Sequence, residues 1–191
     1  MPGILVFFGL IASGKSTLAA RFAEVEKLLY LNTDRVRKEL AGLEATQRRS
    51  DALGQGIYSR EFTRRTYATM LERTANRLRQ GSSVVLDGSY SRRKDRADVL
   101  ACGRQEGAGV RFILCYCSDS EVRRRLEMRA RDPLAVSDGR WDIFLNQKES
   151  FEPPDELKGD QLLLLDTEAD PDVLLRQVRQ WLGATSDNSK I

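Results

Sequence analysis

Residues 9–17, Gly-Leu-Ile-Ala-Ser-Gly-Lys-Ser-Thr, set two glycines, a lysine and a hydroxyl at the spacing G-x-x-x-x-G-K-[ST]. Glycines there let the backbone close around a phosphate chain with its N–H groups turned inward. A helix opening near Lys15 adds the positive end of its dipole to that cradle. Lys15 has the reach for β- and γ-phosphates, and the Ser16 hydroxyl is a ligand type for Mg²⁺. Candidate phosphate contacts are therefore Gly9, Ala12, Ser13, Gly14, Lys15, Ser16 and Thr17. The plainer reading, a glycine-containing turn with an exposed lysine, does not account for the flanks. Residues 4–8 are a continuous apolar run that reads as a buried parallel strand. Leu18, Ala19, Phe22 and Ala23 then repeat at helical spacing.

Three further apolar runs end at or near an acid: Asp34, Asp87 and Asp166. Asp87 closes residues 83–87, where a second acid of a phosphate site belongs, and with Ser16 it is the candidate metal residue. Its competing role is a solvated strand-end turn. Asp34 follows a short strand over residues 28–31 and is placed to take the proton from a hydroxyl that attacks the γ-phosphate. Its competing role is to favour a helix start. Arg37, three residues on, shares its helix side and is a candidate for an anionic part of the acceptor. Arg92, Arg93 and Arg96 open the helix after Asp87, and of these Arg93 is a second candidate acceptor contact. Arg123, Arg124, Arg125, Arg129 and Arg131 crowd one helix, with Arg125 and Arg129 on one face. The aperiodic stretch 132–139 follows. An arginine-bearing helix end leading into such a stretch suits a lid, here about 125–140, whose arginines stabilise a transferring phosphoryl group. Arg125 and Arg129 are the expected catalytic pair beside Lys15 and Asp34.

The elements that must position these residues alternate. Strands are expected at 4–8, 28–31, 83–87, 110–116 and 162–166. Between them fall helices from Asn32 or Thr33 to about residue 40, over 57–80 with a stripe of Tyr67, Leu71, Ala75 and Leu78, and over 92–106. Later helices are expected at 119–131, opened by a capping box Ser118-x-x-Glu121, at 140–150, and from Pro171 to a stop at Gly183. Residues 41–56 read as a connection. Such alternation predicts a three-layer α/β/α sandwich around a five-stranded parallel sheet, with ligands at the carboxyl ends of its strands. One domain over 1–183 and a loose tail at 184–191 are expected.

With 191 residues, 41% hydrophobic and 31% charged, the composition is that of a globular domain. No apolar run approaches a membrane span, and no signal peptide is read, so a cytoplasmic location without a membrane partner is expected. Three cysteines at these spacings form neither a zinc nor a thioredoxin pattern. The chain has no histidine, which leaves carboxylates as the general bases and excludes imidazole chemistry. A net charge of +3 is too mild to require nucleic acid, although arginine dominates the 31 basic residues.

Residues 9–17, the run Asn32-Thr33-Asp34 with Arg37, Leu86-Asp87 and the arginines from 125 to 131 together resemble the small P-loop kinases. The pattern is similar to polynucleotide 5′-kinase domains, zeta-toxin-like kinases and chloramphenicol phosphotransferase-like enzymes. It is most similar to the predicted-kinase group of AAA-type ATP-binding domains, to which Ser137-Asp138 through Trp141, Gln147 and Phe151-Glu152-Pro153-Pro154 also correspond. The resemblance spans roughly residues 3–167 and implies ATP and Mg²⁺ as cofactors. In the polynucleotide kinases the acid matching Asp34 is the base and the arginine matching Arg37 binds substrate phosphate. The expected activity is an ATP-dependent phosphotransferase, with a small-molecule hydroxyl or a polynucleotide 5′ end as acceptor. The alternative is a non-catalytic or slowly hydrolysing ATP-binding regulatory module, for which Asp34 and the lid arginines would be superfluous. A GTP switch would need N-K-x-D, of which Asn146-Gln147-Lys148-Glu149 is only a loose echo, so ATP is expected over GTP. The acceptor and the oligomeric state are not written in the chain.

Overall fold

Alternation along the first strand sets the architecture. In strand β1 (Gly3–Phe8), Ile4, Val6 and Phe8 face one side and Leu5 and Phe7 the other, and all five are buried. A strand buried on both faces must have strands on both edges and helices above and below. Each such side chain contributes about 2 kcal/mol of burial. The computed structural model of the protein describes residues 2–44, 56–131 and 140–187. It shows five strands, β1, β2 (Leu29–Asn32), β3 (Val84–Gly88), β4 (Gly109–Tyr116) and β5 (Leu162–Asp166), all parallel in the order β2-β3-β1-β4-β5.

Two cores flank this sheet. On one side α1 (Lys15–Glu26) and α7 (Pro171–Asp187) bury Leu18, Phe22, Leu174 and Val178 against Leu5 and Phe7. On the other, α2 (Thr33–Leu40), α3 (Arg60–Arg79) and α4 (Arg93–Gln105) bury Val36, Met70, Leu78 and Val99 against Ile4, Val6 and Phe8. Helices α5 (Asp119–Arg131) and α6 (Trp141–Ser150) form a third, smaller cluster through Val122, Leu126 and Phe144. The five-stranded α/β/α sandwich is thus as expected.

Several boundaries differ for physical reasons. The expected helix over 57–80 divides into a 3₁₀ turn, Gly56–Tyr58, and α3, because Ser59 takes an extended backbone and caps α3 by accepting from Phe62 N at 3.2 Å. Its most buried line is Thr66, Met70, Thr74 and Leu78, beside the expected stripe. Thr66 and Thr74 enter the core because their hydroxyls bond back to the carbonyls of Phe62 and Met70, at 2.9 and 2.8 Å. Helix α7 continues past Gly183 to Asp187, so the glycine is not its stop and the tail expected from 184 begins in a helix. The capping box of α5 forms only by half. Ser118 Oγ accepts from Glu121 N at 3.3 Å, but the Glu121 carboxylate is drawn to Arg124 and Arg125, and Glu168 takes the Ser118 N–H instead. Residues 45–55 of the expected connection and 132–139 of the expected lid lie outside the described residues.

Candidate active site

The loop between β1 and α1 is shaped by its glycines. Gly9 has φ of 140°, and a Cβ there would collide with the Cys115 carbonyl. Gly14 has φ of 82°, and a Cβ there would lie 2.8 Å from Thr167 Oγ1 and 2.9 Å from an Arg125 nitrogen. Ala12 also adopts a positive φ, 60°. Lys15 and Ser16 then open α1, so the helix N-terminus begins directly at the end of the loop. Lys15 Nζ donates to Leu10 O at 3.0 Å. Its burial lowers the ammonium pKa, opposed by Asp87 and Asp34 and reinforced by Arg129.

The loop is held from behind. Arg125 donates from Nε to Glu121 at 2.6 Å, from one terminal nitrogen to Ala12 O at 3.2 Å and Thr167 Oγ1 at 3.0 Å, and from the other to Thr167 O at 2.7 Å. The Thr167 hydroxyl donates to Ser13 O at 2.7 Å. From α6, Gln147 Oε1 accepts from Ile11 N at 2.8 Å. Ile11 and Ala12 are buried against Val122, Leu126 and Phe144. The apolar residues of the motif are therefore the contact between the loop and α5–α6.

Two acids face the loop from neighbouring elements. Asp87 is fully buried at the end of β3. Its Oδ2 accepts from Tyr30 Oη at 2.6 Å and from Asn32 Nδ2 at 2.5 Å, while Oδ1 is buried without a partner among the described residues. Burial and the adjacent Asp87 carboxylate raise the Tyr30 phenol pKa well above its ordinary value. Asp34, in the first turn of α2, is half-buried and pairs with Arg37 at 2.7 Å. The cap of that helix is Asn32, whose Oδ1 accepts from Arg35 N at 3.0 Å, so Asp34 is not the cap. Arg37 is buried, stacks 5.0 Å from the Tyr58 ring centre, and has an Nε without a hydrogen-bond partner among the described residues. Arg129 lies within electrostatic reach of Asp34 and Asp87, and desolvation lowers its pKa.

Lys15, Ser16, Asp34, Arg37, Asp87 and Arg129 therefore converge at the carboxyl ends of β1, β2 and β3. Arg125 lies behind the loop. Arg93 turns away, with its N–H on Glu152 and its guanidinium 3.4 Å from Glu156. Arg96 is buried with bonds to Glu156, Tyr90 O and Pro153 O. Sequence reasoning did not single out Thr167 or Tyr30, and it had Gln147 only as part of the family resemblance, without a role. The signal for Tyr30 was its place two residues before Asn32, on the same side of a strand that pairs Asn32 with Asp87.

No cluster of three or more His, Cys, Asp or Glu suited to a metal occurs among the described residues. A buried carboxylate oxygen without a partner and one serine hydroxyl do fit Mg²⁺, which takes few protein ligands and completes its shell with phosphate and water oxygens.

Residues 4–154 match the family AAA_33, described as an AAA domain. The chain belongs to this family. Among curated relatives, the uncharacterised protein Rv2004c of Mycobacterium tuberculosis is 33% identical over 118 residues, 62% of this chain and 24% of that protein. The chain thus spans about a quarter of the relative's length. Solved structures carry the same fold at low identity. A sugar kinase from Janibacter sp. HTCC2649 superposes with a TM-score of 0.70 at 20% identity, covering 96% of this chain and 95% of that one. A gluconokinase from Sinorhizobium meliloti 1021 gives 0.64 at 20%, covering 98% and 94%. The Mycobacterium tuberculosis APS kinase CysC, in complex with AMPPNP and APS, gives 0.65 at 19%, covering 95% and 98%. This AAA_33 protein therefore has a P-loop kinase-like fold. No described helix is long and apolar enough to cross a membrane.

Proposed function

We propose that the protein is a kinase that moves the γ-phosphoryl of Mg-ATP to an acceptor hydroxyl. The observation that supports this best is that Asp34 on α2 lies within electrostatic reach of Lys15 on α1 and Arg129 on α5. A module that only binds nucleotide has no use for a carboxylate there. Lys15 would hold the phosphates, and their charge favours the ammonium that burial disfavours. Ser16 and Asp87 Oδ1 would hold Mg²⁺, which neutralises phosphate charge. Asp34 would accept the acceptor's proton, and its pairing with Arg37 orients it. Arg129 would meet the transferred group, while Arg125 maintains the loop's shape. Arg37, whose Nε has no partner among the described residues, suits an acceptor bearing a carboxylate or phosphate, either a small molecule or a polynucleotide 5′ end. Nothing similar favours Arg93.

The test is ADP release across sugar acids, sugars, nucleosides and 5′-hydroxyl oligonucleotides, followed by Asp34→Asn on the acceptor found. Transfer should fall at least about a hundredfold, with AMPPNP affinity nearly unchanged. Transfer at the original rate would remove Asp34 as base. A nucleotide-bound protein inert to every acceptor would favour the regulatory module.

A further inference from the structure

We propose that Tyr30 is the positioning residue of the metal site, with Asn32 as its partner, setting which Asp87 oxygen is offered to Mg²⁺ and where Ser16 stands opposite it. This inference rests on the kinase reading for the roles of Asp87 and Ser16, and it concerns residues which that reading leaves unused.

A carboxylate's two oxygens are chemically equivalent, and rotation exchanges them. Two donors on one oxygen remove the equivalence. Tyr30 Oη and Asn32 Nδ2 both end on Asp87 Oδ2, at 2.6 and 2.5 Å, and leave Oδ1 buried with its lone pairs unused. Burying an acceptor without a partner is costly, so the arrangement is explained by a ligand at Oδ1. Without these donors the carboxylate could turn toward the Lys15 ammonium, which its charge already influences.

The same phenol touches the other metal residue. Tyr30 Oη is 3.5 Å from the carbonyl oxygen of Ser16. A hydroxyl has one proton, and the shorter contact to Asp87 holds it, so the Ser16 contact acts as a spacer. The phenol thus lies between β3, which carries Asp87, and α1, which carries Ser16. Asn32 adds a third element, since its Oδ1 caps α2 while its Nδ2 holds Asp87. Tyr30 and Asn32 are two residues apart on β2, which brings both polar ends to one side of the strand. A tyrosine present only to fill space would need no hydroxyl here.

The experiment measures AMPPNP binding by calorimetry, first in EDTA and then at increasing Mg²⁺, for wild type, Tyr30→Phe, Asn32→Ser and Asp87→Asn. Serine retains a capping oxygen at position 32 and removes only the amide donor. In EDTA, wild type, Tyr30→Phe and Asn32→Ser should bind alike. In Tyr30→Phe and Asn32→Ser the Mg²⁺ concentration that gives half the metal-dependent gain should rise about tenfold, and Asp87→Asn should lose the gain. If Asp87→Asn loses the gain while Tyr30→Phe and Asn32→Ser keep the wild-type midpoint, the positioning role is refuted and the metal reading stands. If Asp87→Asn keeps the gain, the metal reading itself fails. Metal-free melting curves check folding, and if Tyr30→Phe melts early, Asn32→Ser decides the matter.

Discussion

At the scale of single residues, buried polar side chains carry most of the information in this molecule. Arg96 is fully buried, bonded to Glu156 at 2.5 Å, to Tyr90 O at 2.9 Å and to Pro153 O at 3.2 Å, and lies 5.9 Å from the Phe8 ring centre. It joins α4 to the chain after α6. Removing Arg96 leaves Glu156 only the longer contact to Arg93 and takes their donor from Tyr90 O and Pro153 O. Arg96→Met should therefore cost about 3 kcal/mol and lower the melting temperature by roughly 10 °C; a change under about 2 °C would show the contacts to be dispensable. The sequence separated these roles poorly. Arg93 and Arg96 are alike as letters at the start of a helix, yet one lies on the surface and the other in the core. Arg125 and Arg129 share a helix face, but Arg125 has its donors taken by Glu121, Ala12 and Thr167, and only Arg129 faces the acids. Spacing shows which residues share a face and not which partners arrive from distant segments, and Thr167 is distant.

At the scale of elements, the motif and the strands were legible because their signals are local. Residues 9–17 and the apolar runs each state their conformation within a few positions. The expected stripe of α3 missed Thr66 and Thr74 because a threonine bonded to its own helix is apolar in effect and polar in name. The half-formed box at α5 shows the same limit, since Glu121 had a better use than capping. Hydrogen bonds from Arg124 and Arg125 hold its carboxyl down to about 2, against an ordinary value of 4.5. The unfolded chain takes up this proton first as pH falls. The stabilisation is therefore complete above about 4.5 and is lost as pH drops toward about 2. Glu121→Gln should be less stable than wild type at neutral pH, and the difference should shrink across that window. Urea unfolding at pH 7, 5 and 3 measures it, and parallel curves would exclude Glu121 as the acid-sensitive group.

At the scale of the whole molecule, the order β2-β3-β1-β4-β5 sends the connection leaving β1 outward to β2 and the connection leaving its neighbour β3 the other way to β4, and the loop after β1 opens at that switch point. Alternation of strands and helices was enough to expect a parallel sheet with its site at this end, because parallel strands need crossovers and crossovers need helices. The same topology separates the protein's two tryptophans. Trp141 stacks on Phe144 at 4.9 Å under the Arg123 guanidinium at 4.0 Å, and packs on the cluster that buries Ile11 and Ala12. Trp181 belongs to α7 and packs on the core that α1 and α7 form against the sheet, beside Arg111. One indole therefore neighbours the crest of the loop and the other does not. In Trp181→Phe the remaining fluorescence should change in intensity or wavelength as AMPPNP and Mg²⁺ are added, whereas in Trp141→Phe it should stay constant. Equal responses would mean that the signal comes from the whole molecule and not from the loop. The fold thus supplies an intrinsic optical reporter for nucleotide titrations that needs no label and no knowledge of the acceptor.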